Sequence, residues 1–232
     1  MGATVCDAVQ ADPELELVAC VDLEESRDEM TSGGAEVAVD FTAPDAVKDN
    51  IRFSLDNGIH AVVGTTGLSD DDLSDIATWA SASQANVFVA PNFAIGAVLM
   101  MRFAQQAAPH FDTAEIVERH HEKKLDAPSG TALRTASLMN DARMKPWVTP
   151  ERENESLAGS RGGQVDGIRV HSLRVAGSVA HQEVLLGAAG ETLTIRHDSL
   201  ERSSFMPGVL LAVKKVSQLD GLTVGLEHLL DL

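Results

Sequence analysis

Cysteine is scarce in this chain, and the two that occur, Cys6 and Cys20, lie in apolar stretches without metal-ligand spacing. A disulfide scaffold and a thiolate metal site are therefore excluded, and both residues are expected to be buried thiols in a reducing compartment. Long apolar runs are missing too, so no membrane span is expected. No basic segment followed by an apolar stretch opens the sequence, which leaves no sign of a secretory leader and points to a cytoplasmic protein. Positive charge is in short supply: 18 Lys and Arg face 35 Asp and Glu, for a formal net charge of −17. Such a surface repels nucleic-acid backbones and anionic lipid, so partners of either kind are not expected. Any anionic ligand must be held by local positive charge. Repeats and low-complexity tracts are also lacking. The acidic stretches Asp70–Asp72 and Glu151–Glu155 read as solvated faces and loops.

What is present is a core-forming chain of 232 residues with 44% apolar content, enough for one large or two small domains. In its first part, short apolar runs bounded by turn residues alternate with helical patterns. Leu17–Val21, Ala35–Phe41, Ile59–Val63 and Val87–Ala90 read as strands covered on both faces. Ala3–Gln10 reads as a helix. Val47, Ile51 and Leu55 recur at helical spacing before Gly58, and Ser69 is placed to cap a helix carrying Leu73, Ile76, Ala77 and Ala80. Alternating strands and helices imply parallel pairing and a doubly wound α/β domain. The later part changes character. Ala97–Ala108 and Thr131–Arg143 read as helices, Glu115–His121 as a strand, and 146–166 as a polar loop. Strands Ile168–Val175, Val179–Leu186 and Thr192–His197 follow closely, which suggests a mixed sheet with helices on one face. A last helix, Gly208–Val216, is expected to pack back on the first domain. The domains expected are 1–93 with 205–232, for dinucleotide binding, and 94–204, for substrate binding and oligomerisation.

The opening bears on cofactor binding. A dinucleotide fold starts with a strand and a glycine-rich turn before a helix. Here Met1-Gly2 runs straight into the helix, while Asp22 stands at the end of the next apolar run, 20 positions after Gly2. That is the spacing of the carboxylate that binds the adenosine ribose. Gly2 is thus expected to be the last glycine of the fingerprint, in a dinucleotide-binding domain that is N-terminally truncated. Two readings stay open: a strand and turn of roughly a dozen residues precede this start, or the protein begins here with an impaired cofactor site.

The densest chemistry lies in Glu118-Arg119-His120-His121-Glu122-Lys123-Lys124-Leu125-Asp126-Ala127-Pro128-Ser129-Gly130-Thr131-Ala132. Adjacent histidines end a strand, lysines follow, and Pro128-Ser129-Gly130-Thr131 opens a helix. Free N–H groups at a helix start attract anions. Histidine, lysine and a helix N-terminus on one short loop suit an anionic substrate that must also receive a proton. A capped helix start with solvated lysines is the plainer alternative.

This stretch resembles the signature of the dihydrodipicolinate reductases, E-x-H-H-x-x-K-x-D-A-P-S-G-T-A, and meets every fixed position. Val39-Asp40-Phe41-Thr42, Gly64-Thr65-Thr66-Gly67, Ala90 to Gly96, Arg161 to His171 and His181-Gln182-Glu183 resemble further family segments, the whole looking most like actinobacterial members. The resemblance implies NADH- or NADPH-dependent reduction of 4-hydroxy-tetrahydrodipicolinate, with loss of water, in lysine and diaminopimelate biosynthesis. It implies His120 as general acid and Lys124 as second catalytic residue. His121, Ser129, Gly130 and Thr131 would bind the substrate dicarboxylate. Gly2, Asp22, Phe41, Thr42, Gly64, Thr66, Asn92 and Phe93 would bind the cofactor. No metal is implied, and a homotetramer formed through the second domain is. Lys123 does not match the family lysine and reads as surface. Residues His171, His181 and His197 read as exposed or packed sheet residues. After Asp22 come Leu23, Glu24 and Glu25. A site for a ribose 2′-phosphate favours a basic residue there, so NADH is expected to serve at least as well as NADPH. A non-catalytic metabolite-binding or assembly protein on the same fold is the alternative from another class.

Overall fold

The computed structural model describes residues 1–22, 25–149 and 154–230. Leu23, Glu24 and most of the acidic run at 151–155 lie outside the described residues. The chain divides into two compact units, Met1–Ile95 with Arg202–Leu232, and Gly96–Glu201.

In the first unit, helix α1 (Gly2–Ala11) buries Val5 and Val9. A short helix α2 (Asp28–Ser32) precedes strand β1 (Val37–Asp40), helix α3 (Val47–Asp56), strand β2 (His60–Val63), helix α4 (Asp70–Ser81) and strand β3 (Val87–Val89). The three strands pair in parallel in the order β1-β2-β3. Helix α3 exists because Val47, Ile51 and Leu55 fall on one face and are buried. Gly58, at φ 70°, then reverses the chain into β2, a conformation only glycine adopts cheaply. Ser69 and Asp72 form a reciprocal capping box at the start of α4. The helix faces meet the sheet in a core that includes Val47, Ile51, Val63, Ile76 and Val87. Each such side chain contributes about 1.5–3 kcal/mol by leaving water.

The expected strand Leu17–Val21 is not one. These residues join no sheet among the described residues, and Val18 is 41% exposed. Burial alternates along the segment, so one face is half covered where coverage on both was expected. An apolar run favours extended backbone, but a strand also needs a ladder partner.

The second unit opens with helix α5 (Ile95–Ala107), strand β4 (Thr113–His120) and helix α6 (Gly130–Asp141). Strands β5 (Gly163–Val165), β6 (Ile168–Arg174), β7 (Ala180–Ala188) and β8 (Glu191–Ser199) follow. They form a five-stranded mixed sheet in the order β5-β6-β4-β7-β8, in which only β4 and β6 run parallel. Ile116, Val170, Val184 and Leu186 point from this sheet onto Ala104, Ala136 and Met139 of the helices. β5 falls inside the segment expected to be wholly loop. So does buried Trp147, whose Nε1–H donates to Asn140 Oδ1 at 2.7 Å.

The chain then returns to the first unit. Helix α7 (Met206–Lys215) packs against α1, and strand β9 (Leu222–Val224) adds in parallel beside β3. Lys214 on α7 bridges Asp12 at 2.7 Å and Glu14 at 2.6 Å, which fixes the turn after α1. No helix among the described residues is long and apolar enough to cross a membrane.

Candidate active site

In the second unit the chemistry gathers at the C-terminal end of β4. Alternation along the strand turns Ala114, Ile116 and Glu118 toward the core, and Glu118 is fully buried. A buried carboxylate is tolerated only with partners, and Glu118 is well supplied with them. Its Oε2 accepts from His120 Nδ1 at 2.6 Å, Arg174 binds both carboxylate oxygens at 2.9 Å, and the Ser129 backbone N–H donates to Oε1 at 3.2 Å. The parallel register sets His120 opposite Arg174. Because an ionised carboxylate only accepts, the Nδ1 of His120 must carry the proton, which leaves Nε2 for other work.

The same groups organise the loop that follows. Arg174 also donates to the carbonyls of Lys124 and Asp126. Lys124, half-buried, pairs with Asp126 at 2.8 Å. Ser129 caps α6 through a bond from the Ala132 N–H at 3.2 Å and is itself buried. Gly130, by contrast, is exposed at the positive end of the helix dipole, with Thr131 beside it. One strand end, one arginine and one helix start thus hold His120, Lys124 and the α6 N-terminus on a single short loop.

Two proton affinities follow from this packing. Burial pushes the Glu118 carboxyl upward, but the bonds from Arg174, Ser172 and His120 outweigh it and hold the group below its usual range. Burial pushes His120 below the ordinary histidine value. Glu118 opposes that shift, and the positive charges of Lys124 and Arg174 reinforce it.

His121 lies outside the strand expected to carry it, since β4 ends at His120, and it is exposed, as is Lys123. His171 and His181 hydrogen-bond to carboxylates, 2.7 Å from Glu115 and 2.6 Å from Asp198. His197 packs so close to Gly96 that a Cβ there would meet its ring at 2.6 Å.

In the first unit Phe41, Thr42, Gly64, Thr66, Asn92 and Phe93 follow the C-terminal ends of the parallel strands, where open α/β sheets bind their ligands. Phe41 follows β1 and stacks near Phe93 with centroids 5.6 Å apart. Gly64 follows β2, and a Cβ on it would strike the Phe41 ring at 2.1 Å. Asp40 knots the two turns together, accepting from the Thr42 backbone at 3.0 Å, the Thr42 hydroxyl at 2.9 Å and Thr65 Oγ1 at 2.7 Å. Asn92 accepts from the Ala94 N–H at 2.9 Å, in the chain just after β3. Phe41, Thr42, Gly64 and Phe93 are thereby brought together. Thr66 is exposed beyond them, and Gly2 begins α1, where a Cβ would meet nothing. Asp22 is exposed, and its N–H donates to Glu25 Oε2 at 2.8 Å.

Sequence reading gave no role to Glu118 or Arg174. Glu118 carried a signal, since an acid at a core-facing strand position needs a cation. Arg174 carried none, because its place opposite His120 depends on strand register.

A parallel dinucleotide-type sheet, joined to a mixed-sheet unit that holds a histidine and cations at a helix start, defines a two-unit oxidoreductase architecture. Family models described as dihydrodipicolinate reductase match the chain at 1–93 for the N-terminus and 96–230 for the C-terminus. The 4-hydroxy-tetrahydrodipicolinate reductase of Mycolicibacterium smegmatis is 56% identical over 100% of this chain and 95% of its own length. That of Nocardia farcinica is 55% identical with the same coverage. A dipicolinate-bound dihydrodipicolinate reductase from Paenisporosarcina sp. TG-14 superposes with a TM-score of 0.87 at 37% identity, covering 98% of this chain and 94% of that one. The chain belongs to the dihydrodipicolinate reductase family.

Proposed function

We infer that this chain reduces 4-hydroxy-tetrahydrodipicolinate to tetrahydrodipicolinate, with loss of water, in lysine and diaminopimelate biosynthesis. Bound NADH or NADPH supplies the hydride. The first unit is the dinucleotide-binding domain. The Phe41–Gly64–Phe93 cluster fits such a cofactor, because glycine leaves the backbone bare beside two aromatic faces. Thr42, Thr66 and Asn92 contribute polar groups nearby, and Gly2 and Asp22 serve the pyrophosphate and ribose end.

The second unit binds the dicarboxylate. Lys124 and the α6 N-terminus at Ser129, Gly130 and Thr131 meet its carboxylates, with His121 as a further contact. His120 Nε2 delivers the proton to the ring carbon beside the one that accepts hydride. The free site disfavours the imidazolium, but a substrate with two negative charges favours it, so the acid forms where it is used. Lys124 must leave Asp126 to meet substrate, and it then balances charge built up as hydride arrives. The observation that carries this reading is the buried Glu118 that fixes His120 beside Lys124 and the α6 start. The protein works in the cytoplasm as a homotetramer whose contacts come from the sheet of the second unit.

The test follows NADH absorbance with substrate generated in place from pyruvate and aspartate semialdehyde by the preceding enzyme. Substrate-dependent oxidation is expected, falling by about 10²–10⁴-fold in His120→Ala and strongly in Lys124→Ala. No turnover by a folded sample, or full activity in both variants, would overturn the reading. NADPH in the same assay is expected to do no better than NADH, and a preference for it above about tenfold would defeat that part.

A further inference from the structure

The two cysteines do not fit the expectation of buried, inert thiols. Cys6 on α1 is half-buried, Cys20 is exposed, and their sulfurs lie 3.0 Å apart. A disulfide bond is about 2.05 Å long, so the sulfurs need to close by only about 1 Å. The pair is 14 residues apart in the chain. It is set face to face by the turn after α1, where Lys214 clamps Asp12 and Glu14 and Asp12 Oδ1 accepts from the Glu14 backbone at 3.0 Å.

We propose that Cys6 and Cys20 form a site of reversible oxidation that closes to an intrachain disulfide, stapling α1 to the segment that carries Asp22. The two sulfurs differ in a way that orders the steps. Burial, with Cys20 and Asp7 adding to it, pushes the Cys6 thiol up to about 11, so it stays protonated near neutral pH. Cys20 is the more exposed residue of the two. A peroxide oxidant meets Cys20 first: the S–O bond forms, the O–O bond breaks, and hydroxide leaves to become water. The Cys6 sulfur then attacks Cys20. The S–S bond forms, the S–O bond breaks, and the hydroxyl departs as water with the proton from Cys6. In sum the thiols give two electrons and two protons to hydrogen peroxide, which ends as two waters. A dithiol reductant reverses the change by exchange. Disulfides inside cells are of this transient, redox-responsive kind more often than structural.

Asp22 follows Cys20 by two positions, so the staple acts on the segment assigned above to the ribose end of the dinucleotide. That consequence rests on the functional reading, while the chemistry of the pair does not. The experiment treats the 232-residue chain with hydrogen peroxide and counts thiols, maps non-reduced peptides, and titrates NADH by fluorescence before and after oxidation. Both thiols are expected to vanish together, a Cys6–Cys20 peptide to form, and dithiothreitol to restore both. Cys6→Ser should instead take Cys20 on to sulfinic acid, and Cys20→Ser should leave Cys6 resistant. Loss of the thiols one at a time, bonds only between chains, or sulfinic acid in the wild type as fast as in Cys6→Ser would overturn the site. NADH affinity is expected to change several-fold on oxidation. Equal binding by both forms would overturn the coupling to the cofactor, whereas a reduced chain that binds no NADH would count against the functional reading instead.

Discussion

At the level of single residues, Glu118 governs the site through what it does to His120. Its charge opposes the burial that lowers the affinity of His120 for its proton. Glu118→Gln removes that support. The alkaline fall in kcat/KM is therefore expected to move to lower pH, with a loss of at least about tenfold near neutrality. Stability changes with a definite sign as well. The carboxyl binds its proton less readily when folded than when unfolded. It thus stabilises the fold above the ordinary carboxylate range, and that contribution fades as pH falls through its lowered folded value. The variant should be less stable by roughly 1–3 kcal/mol near neutral pH, with a gap that narrows on acidification, as urea titrations at several pH values would show. An alkaline limb that stays in place would refute the positioning role. His120 and Lys124 were legible because their residue types and spacing carry chemistry by themselves. Arg174 was not, since its partner lies 56 positions away and only the parallel register of β4 and β6 joins them.

At the level of elements, caps and faces were the readable features. The Ser69 cap, the apolar face of α3 and the turn at Gly58 each follow from a local rule, and the structure has all three. Ser69→Ala should cost about 1 kcal/mol through loss of the capping box. That corresponds to roughly 2–4 °C in thermal midpoint for a chain of this size, measurable by calorimetry, and an unchanged midpoint would mean the cap does not limit stability. The three-residue strands β5 and β9 and the five-residue helix α2 escaped notice. Three-residue β3 was legible because Val87–Ala90 is wholly apolar; β5 and β9 lack such a run and form where β6 and β3 offer ladder bonds, and α2 is too short to show an apolar period. Leu17–Val21 erred in the other direction: its pattern was strong, and the partner it needed is not among the described strands.

At the level of the whole molecule, a net charge of −17 makes self-association costly unless the contact surface is locally balanced. The sheet face turned away from the second core meets that condition. Glu115 pairs there with Arg161 and His171, Arg196 with Glu183 and Asp198, and exposed Leu173 and Leu185 lie among them. Light scattering should accordingly give a native mass near four chains of 24.6 kDa, and a monomer at micromolar concentration would refute the tetramer. The division of the chain also has a consequence in time. The sheet of the first unit takes β9 from the sequence that follows the second unit, so a nascent chain emerging in order holds everything needed for residues 96–201 before it holds the edge strand of what came earlier. The inserted unit can mature during translation while the earlier one waits with β3 exposed. A ribosome that stalls or terminates before Leu222 would release a chain whose later-made half is finished and whose first-made half is not.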